Sequence, residues 1–538
     1  MHYGHDASAA LIINGKIISN ISSERITRIK KDGLINYNIL EYIFKNSGIG
    51  YTDIDAISVS GYDVDKSFSD IKVFSLDGIP IKCLNFLHTK EYVEMYCIFF
   101  GKKIKVFVVP HHLGHAASSY YTSSFNKAIC LTLDSSSPNK REANSLIAIG
   151  ENNKLNSLES SDSMISQIYT AFTSHLRLGP PYAKAGSLMG LAGYGKPIKE
   201  VVKNIDNYIN QSYGEGDMFN HYTELFKKLS GDLPITEIEN VNDYLFYKNI
   251  DKKYDKKIVH DLAATAQFLF ERCVLDIIEK KIKPYGIKNL CLAGGSFLNC
   301  NTNSLIKSDV WFENIHHCPA SGDDGIALGS ALYVAHHIFD EPRTFYSDSD
   351  IAYMGNNYEE YENFDYEKIA DFIADGKIVA WSIGKSEFGP RALGHRSLLA
   401  DPRSIHNKEK LNFCIKNREW FRPFAPSVLE EEAKNWFNPS FSSPFMLYTQ
   451  NVLNPNMIPA VTHVDNTARI QTVSEGLDKD YYRLIKAFFL KTGVPMVLNT
   501  SLNGGGEPIV ESDEDVLNLF NTSEYIDILV LNGKIYEK

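Results

Sequence analysis

The chain runs to 538 residues, 44% hydrophobic and 22% charged, with a formal net charge of −11. That length exceeds what one compact core fills, so two or more domains are expected, and the acidic balance argues against a general nucleic-acid binder. The 8 cysteines are scattered without a CxxC pair, which argues against zinc-finger or thioredoxin-type chemistry and suits buried thiols in a reducing cytoplasm. No signal peptide or bilayer-length apolar run is found.

In chain order, His5-Asp6-Ala7-Ser8 leads into AALIINGKIISNIS, which predicts a strand, an Asn14-Gly15 turn and a return strand. The β-branched run 104–109 predicts a buried strand ended by Pro110. PHHLGHAASSYY follows at residues 110–121. LTLDSSS then leads through a short loop into SLIAIGENNKLNSL, again an Asp at a strand edge followed by a hairpin. Two copies of an Asp-bearing hairpin fit a duplicated α/β fold with a cleft between its halves. HDLAATAQFLFERCVLDIIEKKIK has helical periodicity, NLCLAGGSFLN reads as a buried strand entering a glycine turn, and CPASGDDGIALGSALYVAHHI reads as a Gly/Asp loop and an apolar helix. The polar stretch EPRTFYSDSD predicts a boundary near residues 340–355. Beyond it come a helix (YEKIADFIADGK), a strand (IVAWSIG), the Gly- and Arg-rich SEFGPRALGHRSLLADPR, the stretch VPMVLNTSLNGGGEPIV, a helix (SDEDVLNLF) and a hairpin around Asn532-Gly533. That half reads as a separate α/β domain with an anion-binding face.

His111 and His115 are four apart, so on a helix they share a face and can reach one metal ion. Such pairs also cap helices and line ordinary cores. Asp134 ends a strand and Asp323 precedes a helix, where α/β folds place ligands, although either aspartate taken singly reads as a turn cap. Together the four form a mixed nitrogen and oxygen set suited to divalent iron, manganese or zinc with an open position for Lewis-acid work. The glycine loops at Gly294-Gly295, Gly322 to Gly325 and Gly190 to Gly195 allow close backbone approach to phosphate or ribose. In the second half, Arg391, Arg396, Lys416, Arg418, Arg422 and Arg469 are interleaved with Phe388, Trp420, Phe421, Pro423 and Phe424. Arginines among aromatics suggest bidentate anion recognition, though a solvated basic face is the usual reading of such charge. Asn499, Thr500, Ser501 and Asn503 could complete an anion pocket.

HDASAALI, ERITRIKK, HHLGHAASSYY, MGLAGYGKP, LAGGSFLNCNTN, PASGDDGIALGSALY, EFGPRALGHRSLLADPR, REWFRPFAPSVLEEE, VTHVDNTARIQTV and LNTSLNGGGEPIV occur in this order along nearly the whole chain. Together they resemble the O-carbamoyltransferases of the nodulation-protein-U type, which include tailoring enzymes of antibiotic biosynthesis. The resemblance implies an α/β protein of two domains. Residues 1–345 would form an actin/sugar-kinase-like domain for carbamoyl transfer. Residues 346–538 would form a YrdC-like domain making carbamoyl adenylate from carbamoyl phosphate and ATP with Mg2+. It implies phosphate and carbamate contacts for Arg391, Lys416, Arg422, Arg469 and Ser501. Beside them, the residues themselves suggest Gly294, Gly295, Asn299, Gly322 and Asn499 as cofactor-contacting positions. The resemblance implies Fe2+, or another divalent transition metal, on His111, His115, Asp134 and Asp323, and orienting or proton-handling roles for His5 and Lys30. The acceptor would be a hydroxyl of a small molecule, its specificity set within residues 197–257.

The chain departs from the family pattern in four places. Only Met1 to Gly4 precede HDAS, so an incomplete first strand is expected, weakening the placement of His5 and Asp6. A DGxG-type loop is replaced by DSSSPNK, the usual EGK by Ala185-Gly186-Ser187, and HVDGT by HVDNT at Asn466. Asp217 in YGEGDMF is a regional candidate for the acceptor base. Two competing readings are a tRNA threonylcarbamoylation-type enzyme, disfavoured by the acidic charge and domain order, and a non-catalytic nucleotide-binding regulator. No motif specifies the acceptor or the oligomeric state.

Overall fold

The computed structural model describes residues 1–45, 47–61, 74–76, 92–134, 144–161, 165–176, 178–179, 181–203, 257–355 and 364–538. Cys83, the DSSSPNK loop after Asp134, Asp217 and most of residues 197–257 lie outside the described residues.

Alternating apolar strands and glycine turns in the first part build two sheets with one plan. The first has the order Lys16–Ser22, Ser8–Ile13, His2–Tyr3, Ala56–Gly61 and Lys102–Val108, extended by Val93–Phe99 and Phe74–Leu76. The second runs Lys154–Ser161, Ser145–Glu151, Lys127–Leu133, Asn289–Ala293 and Asn314–His317. In both, three antiparallel strands form a meander and two parallel strands add beside its first strand. The loose sequence echo thus corresponds to two sheets of matching strand order. The expected weakness of the first strand takes a definite form. His2–Tyr3 is two residues long, yet it holds a central position between Ser8 and Ser60. The Asn14-Gly15 turn forms as predicted, both residues at positive φ (50° and 72°), the backbone that twists a two-residue hairpin correctly.

In each repeat a helix follows the last parallel strand. These helices, His111–Thr122 and Ile326–Leu332, cross at two glycines. A Cβ on Gly329 would stand 1.9 Å from the Gly114 carbonyl oxygen, and one on Gly114 would stand 2.8 Å from Ile326 Cγ2. Only glycine lets the backbones meet, and their meeting brings the two helix starts together.

Residues 379–537 form the third sheet, ordered Phe437–Asn438, Tyr448–Val452, Thr467–Val473, Ala425–Leu429, Met496–Ser501, Arg396–Ala400, Val379–Ser382, Ile528–Leu531, Lys534–Glu537. Its core includes the fully buried Trp381 and the apolar faces of helices Tyr366–Ala374 and Lys479–Thr492. Asp478 caps the latter by accepting from the Asp480 and Tyr481 amides (3.1 and 3.0 Å), removing two orphan donors.

The parts interlock. Phe421, from the third-sheet half, is buried in the cluster made by helices Ile165–His175, Pro181–Ala192 and Lys257–Ile277. Arg25, from the first repeat, donates to the carbonyls of Gly389 (3.0 Å) and Glu387 (3.4 Å). Arg28 donates to Ile509 O (2.7 Å) and Pro508 O (3.0 Å).

Candidate metal centre and cation chamber

Helical spacing turns His111 and His115 toward the same point, and the glycine crossing brings the Asp323 turn against them. His115 Nε2 lies 3.2 Å from Asp134 Oδ2 and 3.3 Å from Asp323 Oδ1. His111 Nε2 lies 3.5 Å from the same Asp323 oxygen and 3.2 Å from His115 Nε2. All four side chains are buried, and one donor atom from each lies within 4.8 Å of every other. Gly294, at φ 99°, is where strand Asn289–Ala293 turns. A Cβ there would stand 2.2 Å from Leu133 O. The Gly295 amide donates to Asp134 Oδ2 at 2.8 Å. These two glycines, expected at a nucleotide, thus support the Asp134 carboxylate.

The electrostatics match the geometry. Burial opposes charge on His115, but the Asp134 and Asp323 carboxylates outweigh it and raise its pKa to about 9. Burial, then the charge on His115, lowers His111 well below the ordinary imidazole range. Asp134 is lowered, because contact with His115 outweighs its burial. Asp323 is raised by burial and by Asp134. Two imidazole nitrogens and two carboxylates this close can share only protons or a cation. Their donor chemistry fits a divalent transition metal, which would displace the shared protons.

Around the cluster stand residues of the first repeat. His5 Nδ1 is 3.4 Å from Asp323 Oδ2 and 3.1 Å from Asp6 Oδ2. Asp6 takes Lys31 Nζ at 2.6 Å. Lys30, the lysine anticipated here, pairs instead with Glu24 at 2.9 Å, and its charge reaches Lys416. Asp324, beside Asp323, is buried, and burial pushes its pKa up to about 7.

The second group is a chamber of cations. Burial and the charge of Arg469 lower Arg391 to about 9, with Arg422 adding to the effect and Asp324 opposing it. Burial, then Arg422, holds Arg418 well below its ordinary value. Lys416 is lowered by burial and by Arg418. Its ammonium donates to Asn503 Oδ1 (2.6 Å), Asn503 O (3.0 Å) and Ser501 Oγ (3.2 Å), and also to Ser501 O. Glu419, which offsets Arg418 and Arg422, is itself paired with Lys184 at 2.9 Å. Such crowding of partly desolvated cations is costly without an anion between them.

The first half of the chain also reaches these cations. Arg422 Nη1 donates to Ser187 Oγ at 2.6 Å, and Cys300 enters the surroundings of Arg391 and Arg469. A Cβ on Gly389 would stand 2.7 Å from Pro319 O, so the Arg391 loop touches the segment leading to Asp323.

Three expected members stand elsewhere. Arg396, counted with the anion-facing cations, is 1% exposed. It donates to carbonyls of Ile383 (2.6 Å), Gly384 (3.0 Å) and Glu511 (3.3 Å), a framework role. Asn499 is 2% exposed, its amide donating to Ser427 Oγ (3.0 Å), Ala392 O and Gln471 Oε1 (both 3.2 Å). Asn499 supports the Arg391 loop rather than lining the chamber. Asn299 caps helix Cys300–Lys307 through the Thr302 amide and donates to Tyr169 Oη at 3.0 Å. Gly322 precedes the Asp323–Gly325 turn, where a Cβ would stand 3.3 Å from Asp324 Oδ1. Sequence reasoning missed His2, Lys31, Lys184 and Ser187. Lys31 was visible in ERITRIKK, next to Lys30. Ser187 had a signal too, as a departure beside MGLA.

The comparisons with known proteins agree with one another. A family model described as the carbamoyltransferase N-terminus matches residues 1–332, and one described as the carbamoyltransferase C-terminus matches residues 370–538. Nodulation protein NolNO of Sinorhizobium fredii is 33% identical over 572 residues, covering 99% of this chain and 79% of that protein. The 3'-hydroxymethylcephem-O-carbamoyltransferase of Amycolatopsis lactamdurans is 30% identical over 365 residues, covering 67% of this chain and 66% of that enzyme. The crystal structure of T. kodakarensis HypF overlaps 63% of this chain and 48% of that one at 12% identity, with a TM-score of 0.28, too low to bear on the fold. The chain belongs to the carbamoyltransferase family of enzymes.

Proposed function

We propose that the chain is an ATP-dependent O-carbamoyltransferase acting on a hydroxyl of a small-molecule natural product. Residues 1–345 are the transfer domain, an actin/sugar-kinase-like duplication, and residues 346–538 are a YrdC-like adenylating domain. The observation that carries this reading is the adjacency of two unlike centres. A charge-compensated His/Asp cluster and a group in which cations outnumber carboxylates approach each other near the turn bearing Asp323 and Asp324.

In the chamber, Arg391, Lys416, Arg418, Arg422 and Arg469 bind ATP, as its Mg2+ complex, and carbamoyl phosphate. One water hydrolyses carbamoyl phosphate to phosphate and carbamate, and the carbamate oxygen then attacks the α-phosphorus of ATP, breaking its bond to the β-phosphate oxygen and releasing pyrophosphate. Anion approaching anion needs fixed cations, and these are held by the framework before substrate arrives. Ser501 and Asn503 orient the Lys416 ammonium. Ser187 orients the Arg422 fork.

His111, His115, Asp134 and Asp323 hold a divalent transition metal, Fe2+ by family resemblance. When bound it supplies Lewis-acid polarisation of the carbamoyl carbonyl. His5 beside the cluster and Lys30, whose charge reaches Lys416, orient the acceptor and the adenylate. Attack of the acceptor oxygen on the carbamoyl carbon breaks its bond to the AMP phosphate oxygen, the hydroxyl proton passes to the departing AMP phosphate, and the O-carbamate results. Ser187 and Cys300, which reach the cation group, help keep water from the mixed anhydride. No helix among the described residues is long and apolar enough to cross a membrane, and the seven free cysteines among those residues suit a reducing cytoplasm.

The test offers purified protein ATP, Mg2+ and carbamoyl phosphate and measures pyrophosphate. Candidate aminoglycosides, macrolides and oligosaccharides are then added and followed by mass spectrometry. Pyrophosphate release, and a product heavier by one carbamoyl group in place of a hydrogen, are expected. Absence of pyrophosphate from folded, metal-loaded protein would favour a nucleotide-binding regulator. Carbamoyl-threonyl product on tRNA would favour the tRNA-modifying class.

A further inference from the structure

We propose that His2 is a positioning residue of the metal centre, holding the outer oxygen of Asp323 from behind the ligand set. The inference rests on the metal reading above and assigns a residue that reading does not use.

Strand His2–Tyr3 sits between Ser8–Ile13 and Ala56–Gly61. Side chains alternate along a strand. Tyr3 enters the apolar cluster of Ala9, Leu11, Ile57 and Val59, so His2 faces the opposite side of the sheet. Its register partners are Ser8 and Ser60, which puts three polar side chains in one row. All three are 0% exposed. A fully buried sheet position ordinarily holds an aliphatic residue. Both ring nitrogens of His2 and both serine hydroxyls lack hydrogen-bond partners among the described residues. A buried polar row of this kind calls for a function.

That function is read from Asp323. Its Oδ1 faces the ligand set, 3.3 Å from His115 Nε2 and 3.5 Å from His111 Nε2. Its Oδ2 faces away, 3.8 Å from His2 Nε2 and 3.4 Å from His5 Nδ1. The His2 ring stands edge-on to that of His111, centroids 5.9 Å apart. The gap from His2 to Asp323 is just beyond hydrogen-bond length, and a small rotation of either side chain closes it. A ligating carboxylate held through its second oxygen keeps its orientation, and loss of such a partner weakens metal binding. His5 is partly exposed and turned toward Asp6. His2 is enclosed and has Asp323 as its nearest carboxylate contact among the described residues. Ser8 and Ser60, in register beside it, restrict where the ring can sit.

The test compares the unaltered chain with His2→Phe, which keeps ring bulk without a donor, and His2→Gln, which keeps a donor. Thermal unfolding of metal-free protein controls for folding. Cobalt(II) is titrated into each metal-free protein and followed by its d–d absorption. His2→Phe is expected to weaken cobalt binding about 10–100-fold and to shift the bands, and His2→Gln is expected to weaken it less. Cobalt affinity in His2→Phe equal to that of the unaltered chain, or equal losses in both variants, would overturn the assignment. Failure of the unaltered chain to bind cobalt is a separate outcome, which removes the metal reading itself and this inference with it.

Discussion

The His/Asp cluster contains Asp323, and the charge of the adjacent Asp324 reaches Arg391 of the cation group, yet the two groups organise charge in opposite ways. In the cluster, imidazoles and carboxylates face one another, and each group's charge is answered by a neighbour. In the chamber, guanidinium faces guanidinium, and the carboxylate closest in effect, Glu419, is claimed by Lys184. The first arrangement needs one small cation to be complete. The second needs a polyanion. The charge of Asp324 reaches Arg391, and the Gly389 backbone packs on Pro319, so the two groups lie close in the fold, as the proposed hand-over of an intermediate requires.

Removing a ligand from the cluster should have the largest effect. His115→Ala is expected to abolish stoichiometric metal binding and carbamoyl transfer while pyrophosphate release persists, as measured by elemental analysis and the two half-assays. Arg422→Ala should do the reverse, lowering pyrophosphate release by about 10²–10³-fold with metal content intact. The helix crossing behind the cluster can be strained. Gly329→Val drives a side chain into the Gly114 carbonyl and should cost at least about 1–3 kcal/mol of stability in denaturant titration, loosening the cluster more than the cation group. A finer probe is Ser187→Ala, which takes an acceptor from Arg422. A loss of about 0.5–1.5 kcal/mol should raise the KM for carbamoyl phosphate several-fold without changing metal content.

The smallest predicted effect concerns pH. Glu387 accepts amide hydrogens from Leu393 (2.8 Å), His395 (2.9 Å) and Arg396 (2.8 Å), shaping the Arg391 loop. Burial opposes its charge, but His395 and Arg25 outweigh burial and lower its pKa. A depressed carboxylate contributes stability that is full above its unfolded pKa of about 4.3 and is lost as pH falls through the folded value. The stability gap between the unaltered chain and Glu387→Gln should therefore narrow below about pH 4, as read by denaturant titration across pH.

The two regions also differed in how far they could be read from sequence. The cluster was legible because helical spacing alone aligns His111 and His115, and strand ends and turns announce Asp134 and Asp323. The duplicated sheets were legible through two Asp-bearing hairpins. The chamber was legible only as a tendency. Nothing local distinguishes Arg391, which faces other cations, from Arg396 five residues on, whose side chain turns back onto carbonyls. Strand pairing across the sheet decides that, as it decides that Asn499 braces a loop. His2 was invisible for the same reason, since its environment is made by Ser60 and Asp323, far along the chain. The glycines at 294 and 295 were read as allowing close approach to phosphate or ribose; the approach seen among the described residues is to the Asp134 strand end.

The most direct test of the two-centre account measures metal content and pyrophosphate release side by side in His115→Ala and Arg422→Ala. The account predicts a crossed result, with His115→Ala losing metal but keeping pyrophosphate release, and Arg422→Ala keeping metal but losing pyrophosphate release. Parallel loss of both properties in both folded variants would contradict it.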